Sequence, residues 1–353
     1  MIFCYNVLIM ANKTIKVGIN GLGRIGRAFL KIAWEHPEIE VVAANDLGDT
    51  ANMAYLLKYD TVYGHWKHEV SSEAGNIIID GKKVKILAEK DPINLPWGEL
   101  GVDVVVESTG FFTTYDTANA HIKSGAKKVV ISAPAKEGDG SVKGETILMS
   151  VNEDRFGTCD VTSNASCTTN AASPLIGILD EAIGIEKAIL NTVHGYTATQ
   201  SLVDGPAGKK GFREGRAAAQ NIVPTSTGAA IAVTKAFPKL EGLFDGISVR
   251  VPVPAGSIVD ITFIAKRVTS AEEVNNILKK AAGDSRWAKV FAVTEEPLVS
   301  SDILGESHGC VAQLDMTRVI GGNLVKVMGW YDNEMGYTHT LVEHVIKTGQ
   351  YIK

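Results

Sequence analysis

Cysteine is scarce in this chain: four residues in 353, with no CxxC pair and no regular spacing among Cys4, Cys159, Cys167 and Cys310. Disulfide-stapled secreted domains are short and cysteine-dense, so a long, cysteine-poor chain points to a reducing, cytoplasmic setting. Runs of basic residues are also missing, and the net charge is −5. That argues against nucleic acid or an anionic membrane as the main partner, and leaves room for a small anion held by a few placed basic groups. No window approaches the length of a membrane span, which predicts a soluble chain. The apolar start, MIFCYNVLIM, lacks a basic n-region and is too short to cross a bilayer. The text MANKTIKVGING from Met10 reads as a natural beginning, so residues 1–9 are expected to be a frayed extension or an upstream start. Internal repeats and low-complexity segments are absent as well.

What the chain does have is length. At 353 residues and 45% hydrophobic content it exceeds what one core usually supports, so two domains are expected. TIKVGI (14–19) reads as a buried strand ending at glycines, followed by a helical pattern and a second strand, IEVVAAND. Further strands are predicted at 83–87, 102–106 and 127–131. Strands alternating with helical text argue for a parallel sheet covered on both faces. The second half changes character: ILMSVN, AILNTVHGY, ISVRVPVP and SIVDITFIAKRV are longer β-rich runs around helical text such as SAEEVNNILKKAA. They predict an α+β domain with a mostly antiparallel sheet. Between Gly195 and Gly228 runs a long aperiodic stretch, a kind of loop that is usually functional or disordered.

Two motifs carry chemistry. Gly21, Gly23 and Gly26 form a GxGxxG that follows a strand and opens a helix, which is the context a dinucleotide fingerprint requires. Asp46 closes the next strand, where a carboxylate for ribose hydroxyls is expected. Backbone N–H groups and the positive helix end would meet the pyrophosphate, and the carboxylate would repel a 2′-phosphate, favouring NAD over NADP. The plain alternative is a structural turn with Asp46 as an ordinary strand-end residue. The second motif is SNASCTTN (163–170), a lone thiol without apolar cover just before an apolar helical pattern. A helix N-terminus favours the thiolate, so Cys167 is predicted to be more acidic than a free thiol. His194, at the end of a predicted strand, supplies the imidazole of a minimal activated nucleophile. Spacing alone leaves open a structural histidine and an incidental cysteine. His65 and His68 lack a joining ligand cluster and His339 and His344 do not share a helical face, so no metal site is predicted.

The motifs ASCTTN, VGINGLGRIGR, VVESTG, VVISAPA, HGYTATQ, PTSTGAA, VRVPVP and GNLVKVMGWYDNEMGY together resemble phosphorylating glyceraldehyde-3-phosphate dehydrogenase, in the family's order from about Lys13 to the C-terminus. The resemblance implies a Rossmann-type dinucleotide-binding domain plus an α+β catalytic domain with a mostly antiparallel sheet. The domains would be an N-terminal extension at 1–12, an NAD-binding domain at 13–166, a catalytic domain at 167–332 and a C-terminal helix at 333–353 packing back on the NAD-binding domain. It implies Cys167 as the nucleophile that attacks the aldehyde and His194 as its base. The hemithioacetal would be oxidised by hydride transfer, and inorganic phosphate would release the thioester as an acyl phosphate. Thr197 and Arg250 resemble the holders of the phosphate of glyceraldehyde 3-phosphate. Ser166, Thr168, Thr227 and Gly228 resemble those of the attacking phosphate. An arginine of FREGR assists, with Arg213 and Arg216 both candidates. For NAD, Arg24 and Ile25 match the pyrophosphate turn, Asp46 the ribose, and Lys90 and Ser132 further contacts. Asn333 matches the residue that orients the nicotinamide amide.

A homotetramer follows from the same likeness, through the 195–228 loop. The 135–152 connection is longer than usual for the family, Ser150 and Met335 depart from its pattern, and Ala171 replaces a frequent cysteine. The alternatives are erythrose-4-phosphate dehydrogenase, which uses water on the thioester, and a binding protein that keeps the fold without the chemistry.

Overall fold

The structure, a computed structural model, describes residues 14–136, 138–207 and 211–352. The predicted N-terminal extension, 1–12, lies outside the described residues. Strand Ile15–Asn20 occupies the middle of the first sheet, parallel to Ile39–Asn45 on one side and to Val104–Glu107 on the other. Lys128–Ile131, Val161–Ser163 and Gly144–Thr146 continue one flank in parallel. Lys82–Leu87 continues the other flank, and the antiparallel strands Asn76–Ile79 and Val70–Glu73 finish that edge. Val104, Val105 and Val106 are fully buried because a parallel strand is covered on both faces, which is why it reads as a continuous apolar run. The order of strands reverses beside Ile15–Asn20, and the crevice at such a reversal is where open α/β sheets take ligands. The glycine turn starts there.

The second sheet is mostly antiparallel, as its β-rich text predicts. Ile185–Gly195, Ser257–Ala265 and Leu324–Tyr331 pair antiparallel in succession. Phe244–Val251 joins Ile185–Gly195 in parallel, and Cys310–Gln313 joins Leu324–Tyr331 antiparallel. Helix Cys167–Ile183 lies against this sheet, with Leu175, Ile176 and Leu179 in a core shared with Leu190, Val259 and Val327. The last helix, Met335–Gln350, sends Tyr337, Leu341, Val342 and Val345 into the other core, among Val17, Phe29 and Val104.

One predicted strand is absent. ILMSVN forms a turn instead: Ser150 has φ +67°, and Asn152 ties it by accepting from Leu148 N at 2.8 Å and donating to the Thr146 carbonyl at 3.0 Å. Its apolar residues are buried through tertiary packing, with Ile147 and Met149 in the core of the second sheet. A short apolar run signals burial before it signals a strand. Among its described residues the 195–228 stretch carries one short strand, Val223–Ser226, and two short helical turns.

Candidate active site

The cofactor cleft is built mainly from backbone. Gly21 holds φ +98°, and a Cβ on Gly26 would sit 1.9 Å from the Gly21 carbonyl oxygen, so only glycine lets helix Arg24–Ala33 start this close to the strand. A Cβ on Gly23 would meet open space, which leaves its backbone approachable by a ligand. Asp46 accepts from Leu22 N at 2.7 Å and from Gly48 N at 2.9 Å, fixing the carboxylate beside the turn. Gly21, Gly23 and Asp46 line a cleft of about 600 Å³ together with Asn45, Lys90 and Thr109.

The donor set fits an NAD-type dinucleotide, with free N–H groups at a helix start for phosphates and a carboxylate for a diol. The Arg24 side chain is engaged by Glu334 and by Asp60 (2.6 Å), so its guanidinium is not free for a pyrophosphate. Ile25 packs into the core, and the Ser132 hydroxyl donates to the Glu107 carbonyl at 3.0 Å.

Cys167 opens its helix. Strand Val161–Ser163 leads into Ala165, whose φ of +55° bends the chain, and Ser166 then caps the helix by accepting from Thr169 N at 3.1 Å. The bend is clamped from both sides. The Ser163 hydroxyl accepts from Ala165 N at 3.0 Å, and the Tyr337 hydroxyl donates to the Ala165 carbonyl at 3.1 Å. The thiol lies 3.4 Å from His194 Nε2.

The parallel register sets Arg250 directly beside His194, and its Nη1 lies 2.5 Å from His194 Nδ1 and 3.3 Å from the Gly195 carbonyl oxygen. That carbonyl is also 2.6 Å from Nδ1. A ring nitrogen cannot donate and accept at once, so two tautomers compete. With the proton on Nδ1, the ring donates to Gly195 and offers the Nε2 lone pair to the thiol. With Arg250 donating to Nδ1, the proton sits on Nε2 and the ring can only donate to a thiolate.

The electrostatics correct one expectation. Burial pushes the Cys167 thiol up, outweighing the Arg250 charge and the hydrogen bonds from Thr168 that favour the thiolate. His194 moves the other way: burial, then the Arg250 charge, bring it down to about 3, against the pull of the Gly195 carbonyl. The resting pair is therefore neutral thiol and neutral imidazole, with the helix terminus too weak to reverse the cost of burying a charge. Cys167 nevertheless keeps part of its surface in solvent, so a small molecule can reach the sulfur.

Tyr331 is a residue that motif reading passed over. Its hydroxyl sits 2.9 Å from Thr168 Oγ1 and 2.8 Å from Thr192 Oγ1, and its ring stands edge-on to His194. It ties the nucleophile's helix to the histidine's strand. It lies inside the motif GNLVKVMGWYDNEMGY, at the end of an apolar strand, but nothing in that text gives it this contact. The Thr168 hydroxyl is thus committed to Tyr331 and that of Ser166 to the helix cap, leaving backbone N–H groups of that turn as the freer anion donors.

Thr227 caps Ala229 N at 3.1 Å, Gly228 precedes helix Ala229–Ala236, and Thr197 shares a 3.0 Å contact with Thr199. Arg216 is engaged by Asp204 at 2.8 Å, and Arg213 is exposed. Asn333 is nearly buried, its side-chain oxygen 3.1 Å from Gly256 N and 3.0 Å from Ser257 Oγ. Cys159, Cys167 and Cys310 are all free thiols.

Among known proteins, residues 15–115 match the NAD binding domain of glyceraldehyde 3-phosphate dehydrogenase and residues 166–333 its C-terminal domain. A glyceraldehyde-3-phosphate dehydrogenase of Streptomyces coelicolor is 49% identical over 339 residues, covering 95% of this chain and 99% of the relative. Glyceraldehyde-3-phosphate dehydrogenase 1 of Bacillus subtilis is 47% identical over 332 residues, 93% of this chain and 96% of its own. The Geobacillus stearothermophilus enzyme is 47% identical over 331 residues, with the same shares covered. With both halves of the fold and nearly the whole length matched, the chain belongs to the glyceraldehyde-3-phosphate dehydrogenase family.

Proposed function

We propose that the chain oxidises glyceraldehyde 3-phosphate to an acyl phosphate, using NAD and inorganic phosphate, by way of a thioester on Cys167. The observation that carries this is the Cys167 sulfur 3.4 Å from His194 Nε2, with Arg250 against the far side of the same ring. The substrate phosphate pairs with Arg250 and Thr197, and that ion pair offsets the charge that depresses His194. His194, with Nδ1–H on the Gly195 carbonyl, then takes the thiol proton. The thiolate adds to the aldehyde carbon, and the imidazolium returns its proton to the developing oxyanion beside the Cys167 N–H. His194 next removes the hemithioacetal hydroxyl proton. NAD, when bound, supplies the acceptor for the hydride that leaves this carbon, with Asn333 orienting its carboxamide and the glycine turn and Asp46 holding its adenosine half. The thioester carbonyl is then attacked by a phosphate oxygen held at the backbone N–H groups of 166–168 and at Thr227 and Gly228, and the thiolate leaves.

NADH formation from glyceraldehyde 3-phosphate is expected to depend on added phosphate or arsenate. Turnover indifferent to both would replace phosphate by water, the reaction of the erythrose-4-phosphate dehydrogenase type. We also propose the division at 13–166, 167–332 and 333–353, on the grounds that the core of the second sheet is built mainly from 167–332 and that the last helix enters a core of the first sheet. A homotetramer in the cytoplasm completes the reading. The second sheet leaves Ile189, Leu243 and Ile247 about half exposed, and Ile189 and Leu243 line a cleft that also includes Phe263 and Leu324. A second copy would cover such a face. Light scattering at the mass of one chain would rule the tetramer out. Among the described residues no helix is long and apolar enough to cross a membrane.

A further inference from the structure

The nicotinamide side and the base side of the site meet at one hydroxyl. A backbone N–H can only donate, so the Asn333 atom facing Gly256 N at 3.1 Å is the carbonyl oxygen Oδ1, and Nδ2 points elsewhere. The Ser257 hydroxyl, 3.0 Å from that oxygen, must also donate to it. Its own oxygen then accepts from Gly195 N at 3.2 Å. Gly195 is the residue whose carbonyl meets His194 Nδ1 at 2.6 Å. Ser257 is 2% exposed, so water cannot easily stand in for either bond. The backbone that carries it has little freedom, since Gly256 holds φ +86° and a Cβ there would lie 2.5 Å from the Ser300 carbonyl oxygen.

We propose that Ser257 is a positioning residue that fixes which way the Asn333 amide faces and, through Gly195, steadies the carbonyl behind His194. The proposal rests on the NAD-dependent reading above and deepens it. With the hydroxyl present, Oδ1 has two donors on the inner side, so Nδ2, which forms no hydrogen bond to a described residue, is the group left to meet a ligand carbonyl. Without it, Oδ1 keeps one donor, Gly195 N–H loses its acceptor in a buried place, and the amide is free to turn. A turned amide presents oxygen to the carbonyl of a carboxamide and repels it.

The test is Ser257→Ala in the full chain, titrated with NAD and, separately, with ADP-ribose, which keeps every part of NAD except the nicotinamide. The expected result is an NAD dissociation constant raised about tenfold, with that of ADP-ribose unchanged within about twofold. kcat falls while the KM for the aldehyde stays close to that of the parent chain. Asn333→Ala should give the same split, and the double variant should lose no more than either single one, because both remove a single oriented amide. Equal weakening of both ligands, unchanged NAD binding, or losses that add in the double variant would each overturn the proposal. If Ser257→Ala does not fold, Ser257→Cys keeps a weak donor of similar size and is expected to show the same split in smaller measure. A parent chain that binds ADP-ribose as tightly as NAD would instead sink the nicotinamide assignment itself, a different failure from that of Ser257.

Discussion

In the cofactor cleft the groups aimed at a ligand are free backbone N–H groups at a helix start and one carboxylate, drawn from two consecutive strand ends, with the carboxylate held in place by neighbouring backbone. Leu22 N and Gly48 N hold Asp46, and Gly21 and Gly26 set the turn by their lack of a side chain. In the catalytic site the groups are side chains from four separated segments, and burial and charge act against one another there. Burial, then the Arg250 charge, keeps His194 neutral, burial keeps Cys167 protonated, and Tyr331 ties two of the segments together. The first region is prepared for its ligand as it stands. The second holds its thiol and imidazole neutral, and in the function proposed above an anion at Arg250 is what relieves this. The lesson is that a backbone site is read from local sequence and tolerates little change in shape, whereas a side-chain site depends on register and responds to charge.

The contrast breaks most visibly at the nucleophile. Cys167→Ser should lower NADH formation at least about ten-thousandfold, because the hydroxyl replaces the only group able to form the thioester. NAD binding, measured by titration, should remain near that of the parent chain, since the cleft shares no side chain with the thiol. Loss of NAD binding would show that the two regions are not built independently. His194→Asn should cost roughly a hundredfold to ten-thousandfold in kcat, the range for a positioned general base. Its alkylation by iodoacetamide should move to higher pH, and an unchanged alkylation profile would remove His194 from the proton path.

On the cofactor side the effects are smaller and concern preference. Asp46→Ala should weaken NAD and improve NADP relative to it by about tenfold or more, because a repulsive carboxylate is worth at least ~1.4 kcal/mol against a 2′-phosphate. Steady-state kinetics with both cofactors checks this, and a parent preference near unity would refute the role of Asp46. Gly26→Ala tests the backbone logic without touching a charge. A Cβ 1.9 Å from the Gly21 oxygen forces the turn to open, with an expected loss of about 1–3 kcal/mol in urea unfolding and weaker NAD binding.

The smallest effect sharpens the comparison from the side of burial. His344 lies beneath the Cys167 loop, accepting from the Thr162 hydroxyl at 2.8 Å and contacting Asn164 at 3.2 Å. Burial lowers its pKa to about 3, as it does for His194, against a backbone contact from Ile147. In the unfolded chain these rings take up protons near pH 6.5, and in the folded chain they do not. Stability therefore falls as pH drops below about 6.5, by up to about 1.4 kcal/mol per pH unit for each ring. Urea midpoints between pH 7 and 5 should show this slope, and His344→Gln should reduce it. An unchanged slope in that variant would mean that the ring titrates in the folded protein.

How much of this was legible beforehand follows the same division. The glycine turn and Asp46 could be placed from sequence because strand, turn, helix and next strand follow one another in the chain. Cys167 could be suspected for the same reason, since a polar stretch before an apolar helix is local text. Its acidity could not, because desolvation depends on what the other strands bring around it. Tyr331, Ser257 and the contact of Arg250 with His194 carry no local signature and come from strand pairing. The turn at ILMSVN shows the converse error, where burial in a distant core was read as local strand propensity.

The sequence by itself determined most of the succession of strands and helices, the glycine turn and the thiol that is the candidate nucleophile. These rest on periodicity, glycine sterics and chemical type, all of which act over a few neighbouring residues. The tertiary structure decided the protonation of the Cys167–His194 pair, the tautomer contest at Nδ1 and the orientation of Asn333. Each of these is a balance of desolvation, charge and hydrogen bonding among groups that only folding brings within a few ångströms.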